Sequence, residues 1–206
     1  MKNDTKPTQS RPWQPQFSVG DVNITGDKLL AASFYQFREI TLEHSRFNGG
    51  LVKVKRDLFC RPNAVAVLLH DVKRDVVVMI EQFRIGALDH PRSPWLLEIV
   101  AGIVDEGENI EAVAMRESIE ETGLELLSLE HIYQYSPSPG GAKEVIDLFY
   151  AQVDSTNAEG VHGLESEGED IKVHVIPTKQ AFNLLKTGVI DNSPAIIALQ
   201  WLQLNQ

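Results

Sequence analysis

Apolar residues are spaced unevenly along this chain, and the spacing predicts its elements. Residues 64–69 (Ala-Val-Ala-Val-Leu-Leu) and 76–80 (Val-Val-Val-Met-Ile) are short unbroken apolar runs, separated by the polar connection His70-Asp71-Val72-Lys73-Arg74-Asp75. Runs of this length and β-branched content predict two buried neighbouring strands. From 28 to 47, aromatic and β-branched residues alternate imperfectly with charged ones and lead into Asn48-Gly49-Gly50, which predicts antiparallel strands before a turn. After a loop holding Pro91 and Pro94, the apolar segment 95–100 precedes an acidic, glycine-containing loop and a helix over 109–122, with Gly123 placed to end that helix in a left-handed cap. Further strands are predicted at 129–135, 145–153 and 171–176, and helices at 178–186 and 193–204. This mixed order predicts an α/β sandwich, a mixed sheet covered by helices, with a small N-terminal antiparallel β unit. The expected organisation is a loose tail over 1–17, a β unit over 18–50 and a main domain over 51–206.

Composition narrows the function classes. A chain of 206 residues that is 43% hydrophobic has enough apolar material for a full core. Its one cysteine, Cys60, excludes an intrachain disulfide, and the opening 1–17 offers no apolar run that could serve as a secretory signal. The expectation is a soluble, cytoplasmic chain. The longest apolar run, 64–69, falls far short of the roughly twenty residues that a bilayer requires, so no membrane role is expected. A formal net charge of −10 argues against nucleic-acid binding, which leaves a basic footprint. An acidic enzyme can still act on a small anion if divalent cations and local arginines reverse the potential in its cleft. The six histidines show no ligand spacing, and there is no nucleophilic triad or Walker-type phosphate loop.

The helix over 109–122 carries the candidate chemistry. Glu117 and Glu121 are four residues apart and share a face, with Glu120 beside them. Ala112, Met115 and Ile119 are spaced as an apolar stripe on roughly the opposite side, which predicts that this side packs while the other holds the charge. Like charges at this spacing, close to a helix C-terminus, oppose both one another and the macrodipole. A solvated acidic face is the commoner origin of such a pattern; a site for a hard cation such as Mg²⁺, which takes one or two carboxylates and keeps waters and phosphate oxygens, is the functional one. Arg116, four residues before Glu120, is placed to orient that carboxylate.

The wider spacing decides between them. Gly102, Glu108, Arg116-Glu117 and Glu120-Glu121-Thr122-Gly123-Leu124 resemble the Nudix signature, G-x5-E-x7-R-E-U-x-E-E-x-G-U, where U is a bulky aliphatic residue. One position departs from it, because Ser118 stands where a bulky aliphatic residue is usual. The stretch Glu81-Gln82-Phe83-Arg84, the segment Trp95-Leu96-Leu97-Glu98-Ile99-Val100-Ala101-Gly102 and Pro139, roughly fifteen residues beyond the signature, resemble the bacterial ADP-ribose pyrophosphatase branch of that family.

The resemblance implies a Nudix α/β/α sandwich and Mg²⁺-dependent hydrolysis of the pyrophosphate bond of ADP-ribose to AMP and ribose 5-phosphate by attack of water on one phosphorus, with Mn²⁺ as a substitute cation. It implies Glu117, Glu121, Glu169 and the Ala101 carbonyl as metal ligands, Glu120 and Arg116 in support, and Glu167 of the acidic loop 162–170 as the base or water-orienting residue. Gly102 is expected at the substrate, and Arg56 and Arg84 have the bidentate chemistry for its phosphates and terminal ribose. Family dimers exchange N-terminal segments, so a homodimer is expected. The alternatives are a Nudix hydrolase of a nucleotide sugar or dinucleotide, and a non-catalytic ADP-ribose sensor.

Overall fold

The structure, a computed structural model, describes residues 12–206, so the expected tail lies outside the described residues as far as Arg11. Residues 12–17 carry no helix or strand. The chain forms two compact units, one ending at Phe59 and the other spanning Cys60–Gln206.

In the first unit, a single 3-10 turn at Val19–Asp21 leads into β1 (Val22–Ala32), β2 (Gln36–Ser45) and β3 (Leu51–Cys60), neighbours in that order in one sheet. Strands β1 and β2 pair antiparallel, with register shifts between Ile24 and Gly26 and between Leu29 and Ala31. Gly49 and Gly50 sit at φ 82° and 76°, a left-handed conformation that side-chain-bearing residues resist, so the turn at 48–50 reverses the chain there. That turn folds β3 back beside β2 in the same sheet. The compact unit that holds these strands runs to Phe59.

The second unit contains β4 (Ala64–Asp71), β5 (Val76–Phe83), β6 (Trp95–Glu98), β7 (Val100–Ile103), β8 (Ser128–Tyr135), the two-residue β9 (Ala142–Lys143), β10 (Ile146–Gln152), β11 (Val161–His162) and β12 (Ile171–Pro177). Its helices are α1 (Ile110–Thr122), α2 (Thr178–Lys186) and α3 (Ser193–Leu204). The sheet order is β11-β12-β5-β4-β10-β8; β4 and β10 run parallel and the other neighbours antiparallel, which makes the sheet mixed as expected. Both faces of β4 and β5 are covered. Val65, Val67, Leu69, Val78 and Ile80 join Val113 and Ala114 of α1 in one core, while Ala66, Leu68, Val77 and Met79 join Ala181 of α2 and Ala198 and Leu199 of α3 in the other. Coverage on both sides is why these strands are continuous apolar runs without polar alternation.

One irregularity of the sheet positions the site. Strands β4 and β5 pair only from Leu69–Asp71 to Val76–Val78 and then diverge. Strand β6 pairs with β5 and β7 pairs with β4, so the segment after Pro94 fills the wedge between them. The apolar segment predicted at 95–100 is thus two short strands broken at Ile99, because it must leave one partner strand for the other.

Helix α1 packs differently from its apolar pattern. Asn109 caps its start by accepting from the Ala112 amide at 2.8 Å, and Gly123, at φ 70°, ends it. Its buried residues are Val113, Ala114, Ser118, Glu121 and Thr122, whereas Met115 and Ile119 are 47% and 49% exposed and Ala112 is exposed. The predicted packing face therefore points outward. Close approach decides the orientation: the small residues Ala114 and Ser118 lie on the inward side, and Ser118, with no exposed surface, donates its Oγ–H to the Ala114 carbonyl at 2.7 Å. A small residue at the position where the signature usually has a bulky one lies in this contact face. Among the described residues no helix is long and apolar enough to cross a membrane.

Candidate active site

The site forms where β7 passes beneath the C-terminal half of α1. Glu117 takes up the room left by Gly102: a Cβ at that position would overlap Glu117 Cγ, Cδ and Oε1. The missing side chain lets Glu117 lie against the strand backbone. One residue earlier, the Ala101 amide donates to Glu121 Oε2 at 3.1 Å. The two carboxylates at i and i+4 are thus both directed onto Ala101-Gly102, Glu121 at 2% exposure and Glu117 with a 12% exposed side chain.

Burial controls their protonation. It pushes the Glu121 carboxyl well above the usual carboxylate range, with the charges of Glu117 and Glu169 adding to the shift and the Ala101 amide opposing it. Burial likewise raises Glu117 to about 7, against the pull of the Arg116 guanidinium and with Glu120, Glu169 and Glu167 adding to the rise. Arg116 Nη1 lies 2.9 Å from Glu117 Oε1 and 3.2 Å from Glu120 Oε2, and its Nη2 lies 3.7 Å from Glu108 Oε2. One guanidinium therefore gathers three signature carboxylates. Glu108 also accepts the Asp105 amide at 3.0 Å, which fixes the loop before the helix.

The acidic loop 162–170 is tied to the same helix end. The Gly163 amide donates to the Glu120 carbonyl at 3.1 Å, and a Cβ on Gly123 would sit 3.0 Å from His162 Cε1. Glu165–Glu167 form a single 3-10 turn closed by Gly168 at φ 71°, and Glu169 turns inward to accept the Leu164 amide at 3.0 Å. Glu167 and Glu169 are close enough for their charges to act on Glu117.

Arg84 follows β5, its Nε 2.8 Å from Glu98 Oε2, and its charge opposes the rise at Glu121. Glu98, with a 13% exposed side chain, is itself raised by burial against the pull of Arg84. The pattern of apolar positions conceals Glu98, the partner of Arg84; its signal in the sequence is that it is the one charged side chain in the apolar segment 95–100. Arg56 stands on β3 in the other compact unit, exposed, with Nη1 donating to the Lys55 carbonyl at 2.8 Å.

Of the expected site residues, Ala101, Gly102, Glu117, Glu120, Glu121 and Arg116 are joined by direct contacts, and Arg84, Glu167 and Glu169 by electrostatic range. Among the described residues no three acidic, imidazole or thiol groups converge as a ready-made cation cage. The donor set nonetheless suits Mg²⁺: a buried carboxylate whose bonded partner is an amide, and a second in the cradle left by Gly102, are the few protein oxygens that such an ion takes alongside waters and phosphate. A cavity of about 280 Å³ lined by Glu81, His90, Arg92, Trp95 and His174 contains none of these carboxylates.

The NUDIX domain family matches residues 61–199 of the chain. The chain is 48% identical over 193 residues to the ADP-ribose pyrophosphatase of Haemophilus influenzae, covering 92% of this chain and 89% of that protein. To the ADP-ribose pyrophosphatase of Escherichia coli it is 44% identical over 190 residues, covering 92% and 91%. To the GDP-mannose pyrophosphatase of Escherichia coli it is 33% identical over 186 residues, covering 89% and 96%. A solved structure described as an ADP compounds hydrolase superposes with a TM-score of 0.65, covering 92% of this chain and 98% of that one; at 22% identity this likeness concerns the fold. With the spacing from Gly102 to Leu124 present and the family match covering most of the C-terminal unit, the chain belongs to the Nudix hydrolase family.

Proposed function

We propose that this Nudix hydrolase cleaves the pyrophosphate bond of ADP-ribose, with Mg²⁺ as cofactor and Mn²⁺ as a working substitute, to give AMP and ribose 5-phosphate. The observation that carries the proposal is the buried pair Glu117 and Glu121 directed onto Ala101-Gly102, in a chain so similar along its length to proteins named for ADP-ribose.

Glu117, Glu121, Glu169 and the Ala101 carbonyl are the groups that would hold the cation, which when bound supplies a lowered pKa for attacking water and neutralises charge on the phosphates. Arg116 holds Glu117 and Glu120 in place, so that the carboxylates need little reorganisation when the site fills. Glu167, on the loop tied to the end of α1, is the proposed acceptor of the proton from the attacking water. Arg84 is assigned to the substrate anions, and Gly102 is assigned to the substrate through its backbone, its missing side chain leaving room for Glu117. No covalent enzyme intermediate is proposed, because no nucleophilic side chain has been assigned to the site. The working form is proposed to be a cytoplasmic homodimer.

A second reading, hydrolysis of a nucleotide sugar, is favoured by the relation to the GDP-mannose pyrophosphatase. Ranking ADP-ribose, GDP-mannose and a dinucleoside diphosphate by kcat/KM separates the two; ADP-ribose ranks first under the proposal, and GDP-mannose first under the alternative.

A further inference from the structure

Side chains along β5 alternate between the two faces of the sheet. Ile80 belongs to the core beneath α1, and Val77 and Met79 to the core beneath α2 and α3. Continuing the alternation, Glu81 and Phe83 fall on the second face, where Glu81 pairs with His174 at 2.8 Å and Phe83 packs against Trp95. Gln82 and Arg84 fall on the face of α1. The register with β6 sets Glu98 opposite Ile80 and Leu96 opposite Gln82, and the Arg84 amide donates to the Pro94 carbonyl at 2.8 Å. The contact between Arg84 Nε and Glu98 Oε2 consequently runs back across the Gln82 position.

Gln82 is 6% exposed, and its buried Nε2 has no hydrogen-bond partner among the described residues. A buried amide with idle donors is disfavoured unless another state of the molecule satisfies it. On its own face, the diagonal neighbour across the β5–β6 pair is Glu98, within reach of a long side chain. Glu98 is mostly buried, and its bonded cation is Arg84. A diphosphate entering the site competes for the same guanidinium, and its success would leave a buried carboxylate without a donor.

We infer that Gln82 is a positioning residue that takes over Glu98 when Arg84 turns to the anionic substrate. In the free protein Arg84 satisfies Glu98 and the Gln82 amide is idle; in the occupied site Arg84 binds a phosphate oxygen and the Gln82 N–H groups donate to Glu98. The inference rests on the proposed function, because it needs a nucleoside diphosphate as the ligand.

The test uses Gln82→Met, which keeps the length of the side chain and removes its donors, and Gln82→Asn, which keeps an amide too short to reach. The thermal midpoint of the free Met variant is expected at or above that of the wild type, since no hydrogen bond is lost. Its equilibrium affinity for ADP-ribose without divalent cations should fall about tenfold and KM rise in proportion, with kcat within about twofold, and the Asn variant should behave alike. In a Glu98→Gln background, where no buried charge needs a donor, the Met substitution should have no effect on affinity. Wild-type affinity in both Gln82 variants, or an equal loss with and without Glu98→Gln, overturns the inference while wild-type turnover of ADP-ribose leaves the function standing. A wild type that does not bind ADP-ribose overturns both.

Discussion

Glu117 occupies the space in which a side chain at position 102 would begin. The atoms that a Cβ would meet belong to a flexible carboxylate and not to backbone, so Gly102→Ala is expected to fold, displacing Glu117 from the strand. Its stability should stay within about 1 kcal/mol of the wild type. Turnover should fall on the order of a hundredfold, because an orienting contact is lost. Denaturant titration together with kcat/KM checks both halves, and an active Gly102→Ala enzyme would remove the proposed role of the cradle.

The inward orientation of α1 makes an opposite pair of predictions on one helix. Met115→Lys, on the exposed side, should change stability by less than about 0.5 kcal/mol. Ser118→Leu, at a position with no exposed surface, should cost about 1–3 kcal/mol through overpacking. Comparing urea midpoints tests which face packs; a large loss in Met115→Lys would restore the amphipathic arrangement that the apolar spacing suggests.

This helix also marks the limit of what could be read from the sequence. The spacing from Gly102 to Leu124 identified the carboxylates and the family, and the elements after residue 64 followed from runs, caps and turns. The direction of α1 did not, because hydrophobicity favoured Met115 and Ile119, while the packing is settled by Ala114, Ser118 and the gap at Gly102. Glu98 and Gln82 were hidden for a related reason: the role proposed for them depends on β6 crossing into the wedge between β4 and β5, a long-range pairing with no local signal.

The raised carboxyls give the cation-free protein a pH dependence of definite sign. Folded Glu117 titrates near 7 and Glu121 also lies well above 4.5, so between those values the folded state binds more protons than the unfolded one. Stability then decreases as pH rises through that interval, and below it both states are protonated and the effect vanishes. Calorimetry without cations should show a lower midpoint at pH 8 than at pH 5.5, with a smaller drop in Glu121→Gln. Added Mg²⁺ should raise the midpoint by a few degrees at pH 8 and much less at pH 5.5. A drop of the same size in Glu121→Gln would show that Glu121 does not cause it.

Asp71 predicts the reverse behaviour at the far end of β4. The Ser155 amide, at 3.0 Å, is the largest influence holding its carboxyl at about 2, and the Ser155 hydroxyl at 2.7 Å and the Arg74 and Lys73 amides reinforce it. This stabilisation is present above the ordinary carboxylate range and is lost as pH falls toward 2. Asp71→Asn should cost about 2 kcal/mol near neutral pH, and the difference should shrink on acidification. Unfolding curves at pH 7 and pH 3 check this, with kcat/KM for ADP-ribose unaffected because the residue lies outside the proposed site.

The central claim, that Glu117 and Glu121 form the cation site of an ADP-ribose hydrolase, is tested most directly by turnover of ADP-ribose with Mg²⁺ in the wild type and in Glu121→Gln. The account predicts AMP and ribose 5-phosphate in equal amounts from the wild type, and a rate lower by about a hundredfold or more in a variant that remains folded. A Glu121→Gln enzyme turning over at the wild-type rate, or a wild type inert toward ADP-ribose in Mg²⁺, would contradict it.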